Sequence, residues 1–120
     1  MTLQLNLSGF TSWRDAAQAG TPAAPPVVLD VRELWELQTA CVASDGFTLV
    51  HIPMREIPQR IAELQGTYGP AHPIACLCHH GMRSLQVANY LTQSGFTEVV
   101  NLQGGIDAWS KQVDAAVPLY

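Results

Sequence analysis

Positive charge is scarce in this 120-residue sequence. Six Lys and Arg stand against ten Asp and Glu, scattered along the chain, for a formal net charge of −4. A nucleic-acid interface needs a concentrated basic face, so no nucleic-acid partner is expected. Charged residues total only 13% against 48% hydrophobic, a balance that excludes a disordered chain. No run approaches the roughly 18 apolar residues of a membrane span. The opening MTLQLNLSGFTSW has neither the basic start nor the long apolar run of a signal peptide. These absences lead to the expectation of a cytoplasmic protein with no membrane partner. Cysteine is also sparse: Cys41, Cys76 and Cys78 cannot all pair, which argues against a structural disulfide framework and leaves a thiol free. There is no internal repeat and no low-complexity segment, and the length suits one domain spanning residues 1–120.

What the chain does contain is an alternation of short apolar runs and amphipathic stretches. Thr11 or Ser12 can cap a short helix reaching about Ala19, with Gly20 ending it. The T-P-A-A-P-P at 21–26 excludes helix and reads as an extended connection. Strands are expected at Val27–Val31, Phe47–Ile52, Ile74–Cys78 and Glu98–Leu102. Helices are expected at Glu33–Ala40, Glu56–Gln65, Arg83–Gln93 and Ile106–Gln112, with a loop over Gly66–Pro73. Short apolar strands separated by helices imply parallel pairing. The fold class expected is therefore α/β, a three-layer sandwich of about five mainly parallel strands with helices on both faces.

One stretch, C-L-C-H-H-G-M-R-S at 76–84, gathers reactive side chains where a strand ends and a helix begins. Ligands of open parallel sheets sit at the carboxyl ends of strands. Structural zinc usually takes C-x2–4-C with a second ligand pair elsewhere, whereas His51 and His72 are isolated here. A thioredoxin-like redox pair needs C-x-x-C, and the spacing here is C-x-C. Cys76 and Cys41 read as small buried hydrophobes. Cys78 differs, because Gly81 permits a tight loop whose N–H groups turn inward at a helix start, as an anion-holding nest. Thiols in such places are acidified. The loop is expected to make a nucleophile and a seat for its anionic partner together.

The segment from Cys78 to Ser84 resembles the active-site loop of the rhodanese family, C-x-x-G-x-R-S. Three further stretches resemble signatures of that family: V-L-D-V-R-E at 28–33, H-I-P-M at 51–54 and N-L-Q-G-G-I-D-A-W at 101–109. They occur in family order over residues 28–109. The resemblance implies a single-domain sulfurtransferase that needs no metal and no organic cofactor. The Cys78 thiolate would take sulfur from thiosulfate or a persulfide donor. The Cys78 persulfide would rest in the loop formed by His79, His80, Gly81, Met82, Arg83 and Ser84, and a thiophilic acceptor would remove the sulfur. Cyanide, a small thiol and a protein thiol are all acceptor candidates. A monomer or weak homodimer is expected. Cysteine phosphatases and arsenate reductases hold anions in a similar Cys-to-Arg loop, but with five intervening residues. Here there are four, and the smaller ring of amides suits a single sulfur anion. A non-catalytic interaction module is the remaining alternative, and retention of Cys78 argues against it.

Supporting residues follow. Arg83 opens a helix, an unfavourable place for a cation, so it is expected to brace the loop or bind donor anions. Asp30 and Arg32 share a face near a strand end and could pair with Arg83 or form a structural ion pair; Glu33 could cap or pair nearby. His79 and His80 stand where the commoner family loop has other residues, and either could contribute charge or hydrogen bonds to an anionic donor. His51 is assigned a structural hydrogen bond, Trp109 core packing, and Gly104-Gly105 a tight turn or close backbone approach.

Overall fold

In the computed structural model, which describes residues 3–20 and 24–120, the β-branched and aliphatic runs form one parallel sheet. It holds β1 (Leu3–Asn6), β2 (Val27–Asp30), β3 (Thr48–His51), β4 (Ile74–Leu77) and β5 (Val99–Gln103), in the spatial order β1-β5-β4-β2-β3. Every pairing is parallel. The helices are α1 (Phe10–Gly20), α2 (Leu34–Thr39), α3 (Ile57–Tyr68), α4 (Met82–Gln93) and α5 (Gly105–Gln112). The fold is thus the expected α/β sandwich.

Side chains alternate across each strand, so one strand feeds two cores. Val27 and Leu29 of β2 join Ile74 and Cys76 of β4 on the face covered by Ile57 and Leu64 of α3 and Val87, Ala88 and Leu91 of α4. Val28, Ala75 and Leu77 point the other way, toward Phe10 of α1 and Ile106 and Trp109 of α5. The Trp109 ring lies 4.6 Å from Phe10 and meets Phe47 edge-on at 5.8 Å, which makes it core, as expected. β2 and β4 are adjacent central strands, but the chain runs from β2 to β3 on one side and only then returns to β4 on the other. Their carboxyl ends flank the point where strand order reverses, the usual ligand position of such sheets.

Four features differ from expectation. The first strand, β1, was not assigned from sequence, although L-Q-L-N-L has period 2. As an edge strand it exposes most of its residues, and so lacks the continuous apolar run of the inner strands. Helix α1 starts at Phe10, one residue ahead of the expected caps, because a 3-10 turn over Leu7–Gly9 precedes it and Asn6 accepts the Ser8 N–H at 3.0 Å. Helix α3 continues through Gly66 to Tyr68, since its buried stripe holds it to the sheet and a single helical glycine costs little. Cys41 is exposed rather than buried, standing in the irregular segment after α2. The T-P-A-A-P-P connection lies partly outside the described residues. Among the described residues no helix is long and apolar enough to cross a membrane.

Replacing Trp109 with Ala should lower unfolding free energy by about 3–5 kcal/mol in urea titrations. Leu34, which is 61% exposed, should tolerate the same change to within about 0.5 kcal/mol.

Candidate functional site

Cys78 follows the last residue of β4, and its side chain is buried. Its Sγ accepts hydrogen bonds from the Gly81 N–H at 3.1 Å and from the Ser84 hydroxyl at 3.2 Å. Gly81 takes φ +100°, and a Cβ there would stand 3.0 Å from the Gly104 nitrogen, so both its torsion and its contact require glycine. Helix α4 starts at the next residue. Its first N–H groups have no carbonyl within the helix, and they gather at the end where the sulfur sits.

The orientation of the loop is set from the other side. The Cys78 carbonyl accepts the Ile106 N–H at 2.8 Å, and the His79 carbonyl accepts the Asp107 N–H at 3.2 Å. Both donors belong to the first turn of α5, whose positive end favours such acceptors. In a trans peptide the N–H points opposite the C=O. With the Cys78 and His79 carbonyls held toward α5, the His79 and His80 amides turn away from it. Gly105 makes this approach possible: a Cβ there would fall 2.4 Å from both carbonyl oxygens. The tight approach expected of Gly104-Gly105 is thus present, and it is made against the Cys78 loop.

A chain of ion pairs flanks the loop. Arg83 is bidentate on Glu36, at 2.8 and 2.9 Å. Tyr120 donates its hydroxyl to Glu36 at 2.8 Å and accepts from Arg32 at 2.8 Å. Arg32 grips the Asp30 carboxylate at 3.0 and 2.8 Å, and both side chains are fully buried. Asp30 and Arg32 therefore pair with each other and not with Arg83, whose partner is Glu36. The Arg83 guanidinium holds the Glu36 carboxyl down at about 2, and Glu36 in turn raises Arg83 above the ordinary guanidinium range. Burial pushes the Tyr120 phenol up, which keeps its proton available for Glu36. Glu33 caps α2 in a capping box with Glu36, and Arg55 reaches its carboxylate. His51 contacts the Arg32 carbonyl at 2.6 Å, the structural bond expected of it.

His79 is half-buried. It lies between the His80 ring and the Tyr120 ring, both 3.9 Å away, the latter within 5° of parallel. Its Nε2 is buried without a hydrogen-bond partner, while His80 is exposed. His79, His80 and Asp107 bring potential ligand atoms within 4.8 Å of one another. The two imidazoles are stacked with an interplanar angle of 23°, so an ion in the plane of one ring lies well out of the plane of the other. Lys111 occupies Asp107 at 2.9 Å and holds its carboxyl below the usual range. The donors do not converge as a metal site requires. Cys76 lies two residues before Cys78, fully buried, and burial with the neighbouring sulfur pushes its thiol well up, as befits an inert core residue.

Sequence reasoning missed two residues here: Glu36 and Tyr120. Glu36 directly follows two exposed apolar residues, Leu34 and Trp35, and the helix turns the carboxylate inward instead of them. Its spacing of four from buried Ala40 was the available signal. Tyr120 has no local signal, being 84 residues from the carboxylate it meets.

The rhodanese-like domain model matches residues 12–112, and the chain belongs to that family. It is 37% identical over 93 residues to the chloroplastic rhodanese-like/PpiC domain-containing protein 12 of Arabidopsis thaliana, a match covering 78% of this chain and 30% of that protein. It is 32% identical over 85 residues to the thiosulfate sulfurtransferase GlpE of Actinobacillus succinogenes, covering 71% of this chain and 69% of that one. The crystal structure of a rhodanese-related protein from Thermoplasma volcanium superposes with a TM-score of 0.72 at 25% identity, covering 98% of this chain and 99% of that chain. The chain spans less than half the length of several of its curated relatives, among them the Arabidopsis protein.

Glu36 gives the site a pH signature. Its folded-state pKa is depressed, so the stability it contributes is present above the unfolded value of 4.5 and is lost as pH falls toward about 2. Urea titrations should show wild-type stability declining through this window by about 2 kcal/mol more than that of Glu36→Gln.

Proposed function

We propose that this protein is a rhodanese-type sulfurtransferase that carries sulfane sulfur as a Cys78 persulfide. The observation that bears the reading is the Cys78 Sγ itself, held by the Gly81 amide and the Ser84 hydroxyl at the start of α4. These donors stabilise a sulfur anion and cost no reorganisation when charge appears. The Cys78 thiolate attacks the outer sulfur of thiosulfate, a new S–S bond forms, and the old one breaks with its electron pair leaving on sulfite. A low-molecular-weight persulfide serves in the same way with a thiolate as leaving group. Cyanide or a thiolate then attacks the terminal sulfur and departs with it, regenerating the Cys78 thiolate. Dividing the transfer into two displacements is covalent catalysis with ping-pong kinetics. The relative named as a thiosulfate sulfurtransferase, matched over 69% of its length, supports this reading.

Arg83 acts through Glu36. With both carboxylate oxygens on its guanidinium, it braces the first turn of α4 and leaves the loop without a free cation. The same pairing argues against phosphatase chemistry, in which the loop arginine must meet the phosphoryl oxygens. His80, exposed on the loop, is a side chain available to meet an anionic donor at the mouth, and His79 forms part of the wall.

Intact mass after incubation with thiosulfate tests the proposal. Cys78 should gain one sulfur atom, lose it on adding cyanide, and gain none in Cys78→Ser. Absence of sulfur uptake with thiosulfate and with a small persulfide would reject it, and hydrolysis of an aryl phosphate would favour the phosphatase alternative. Arg83→Ala should lower kcat/KM for thiosulfate by about tenfold through loss of loop bracing, and Glu36→Gln should give a similar loss. Direct donor binding by Arg83 would instead leave Glu36→Gln as active as wild type.

A further inference from the structure

Asn101 lies on β5 opposite Cys76 of β4, and it is 1% exposed. Its Nδ2 donates to the Gly81 carbonyl at 3.1 Å and to Gln4 Oε1 on β1 at 2.7 Å. Its own Oδ1 is buried with no partner. An unpaired buried acceptor is a net cost to the fold, so packing alone does not account for an amide at this position. Its effect is on the Cys78 loop. The carbonyl it grips belongs to the one loop residue with no side chain and a positive φ, the position freest to rotate its peptide planes. Within α4 that carbonyl has only the Leu85 N–H, at a long 3.3 Å.

From this we infer that Asn101, aligned by Gln4, is a positioning residue for the sulfur cradle. It fixes the Gly81–Met82 peptide with the carbonyl toward β5, which turns the Met82 N–H the opposite way and holds Gly81 where its own N–H meets Cys78 Sγ. Ile106 and Asp107 fix the first half of the loop from α5, and Asn101 fixes the second half from β5. The Gly81 carbonyl makes the amide directional, since a flipped amide would set Oδ1 against that oxygen, and Gln4 Oε1 takes the second Nδ2 hydrogen. The edge strand β1 thereby takes part in the site through Asn101, 97 residues from Gln4 in the chain.

This inference rests on the sulfurtransferase reading for its catalytic consequence, but it can be judged without it. Three variants are made in a Cys41→Ser background so that the exposed thiol does not react: Asn101→Leu, Asn101→Asp and Gln4→Leu. Asn101→Leu removes the donor together with the orphaned acceptor, so its thermal midpoint should stay near that of the parent. Cys78 alkylation by iodoacetamide at pH 7 should nonetheless slow about tenfold in both Asn101 variants. The kcat for thiosulfate should fall by a similar factor with KM little changed, since the lost alignment acts on the developing sulfur anion. Gln4→Leu, on the exposed edge, should show a smaller loss of about threefold in both readouts. If Asn101→Leu folds and both rates stay within twofold of the parent, the inference is overturned. If it does not fold, unchanged rates in Gln4→Leu overturn it instead. A parent protein that acquires no sulfur would overturn the sulfur-carrier reading, while the alkylation rates would still decide the role of Asn101.

Discussion

Two backbone hydrogen bonds, from Ile106 and Asp107 to the carbonyls of Cys78 and His79, set the constraint on which the candidate site depends. They use the N–H groups that α5 would otherwise leave unpaired, and in doing so reverse the polarity of the loop. Peptides with captured carbonyls present their amides away from α5. The arrangement requires β4 and β5 to be neighbours, so that the loop after one lies against the helix after the other. It also requires that residue 105 have no side chain, because the two backbones are too close for a Cβ. Glycine at that position is a packing condition with an electrostatic result.

The charges around the loop are arranged to cancel. Arg83 is matched by Glu36 and Arg32 by Asp30, with the Tyr120 hydroxyl joining the two pairs. Each ion is partly or wholly withdrawn from water, and breaking one partner would leave the other unpaired, which is more costly than the pair is favourable. The network therefore specifies geometry more than it adds stability. The Cys78 sulfur is met by the Gly81 amide and the Ser84 hydroxyl, groups that need no counter-charge and do not titrate near neutrality. The Tyr120 ring also covers one face of His79, so the network and the loop wall share a residue.

Much of the architecture could be read from local sequence, with particular exceptions. The inner strands were legible because burial on both faces leaves an uninterrupted aliphatic run, as in V-V-L-D and I-A-C-L. β1 was not, because an edge strand with one wet side shows only a short alternation. Cys78 and Gly81 stand between an apolar run and a helical stripe, which suggested a turn at a helix start, and the spacing on to Arg83 and Ser84 carried the family resemblance. The partner of Arg83 was out of reach, since Glu36 lies 47 residues away on a helix whose Leu34 and Trp35 face outward. Cys41 was misjudged for a related reason: cysteine composition favours burial, but the chain there is irregular and lies at the surface.

Local sequence settles the alternation of strand and helix, the parallel sheet that alternation forces, and the placing of a thiol and a glycine at a strand-to-helix turn. These are local properties, fixed by periodicity, torsional preference and spacing. Tertiary structure alone decided which groups face the thiol loop. Carbonyl capture by α5, the Glu36 and Tyr120 bridge, and the Asn101 contact join segments between 20 and 97 residues apart. Such contacts follow from strand order and backbone approach, which no short window of residues encodes.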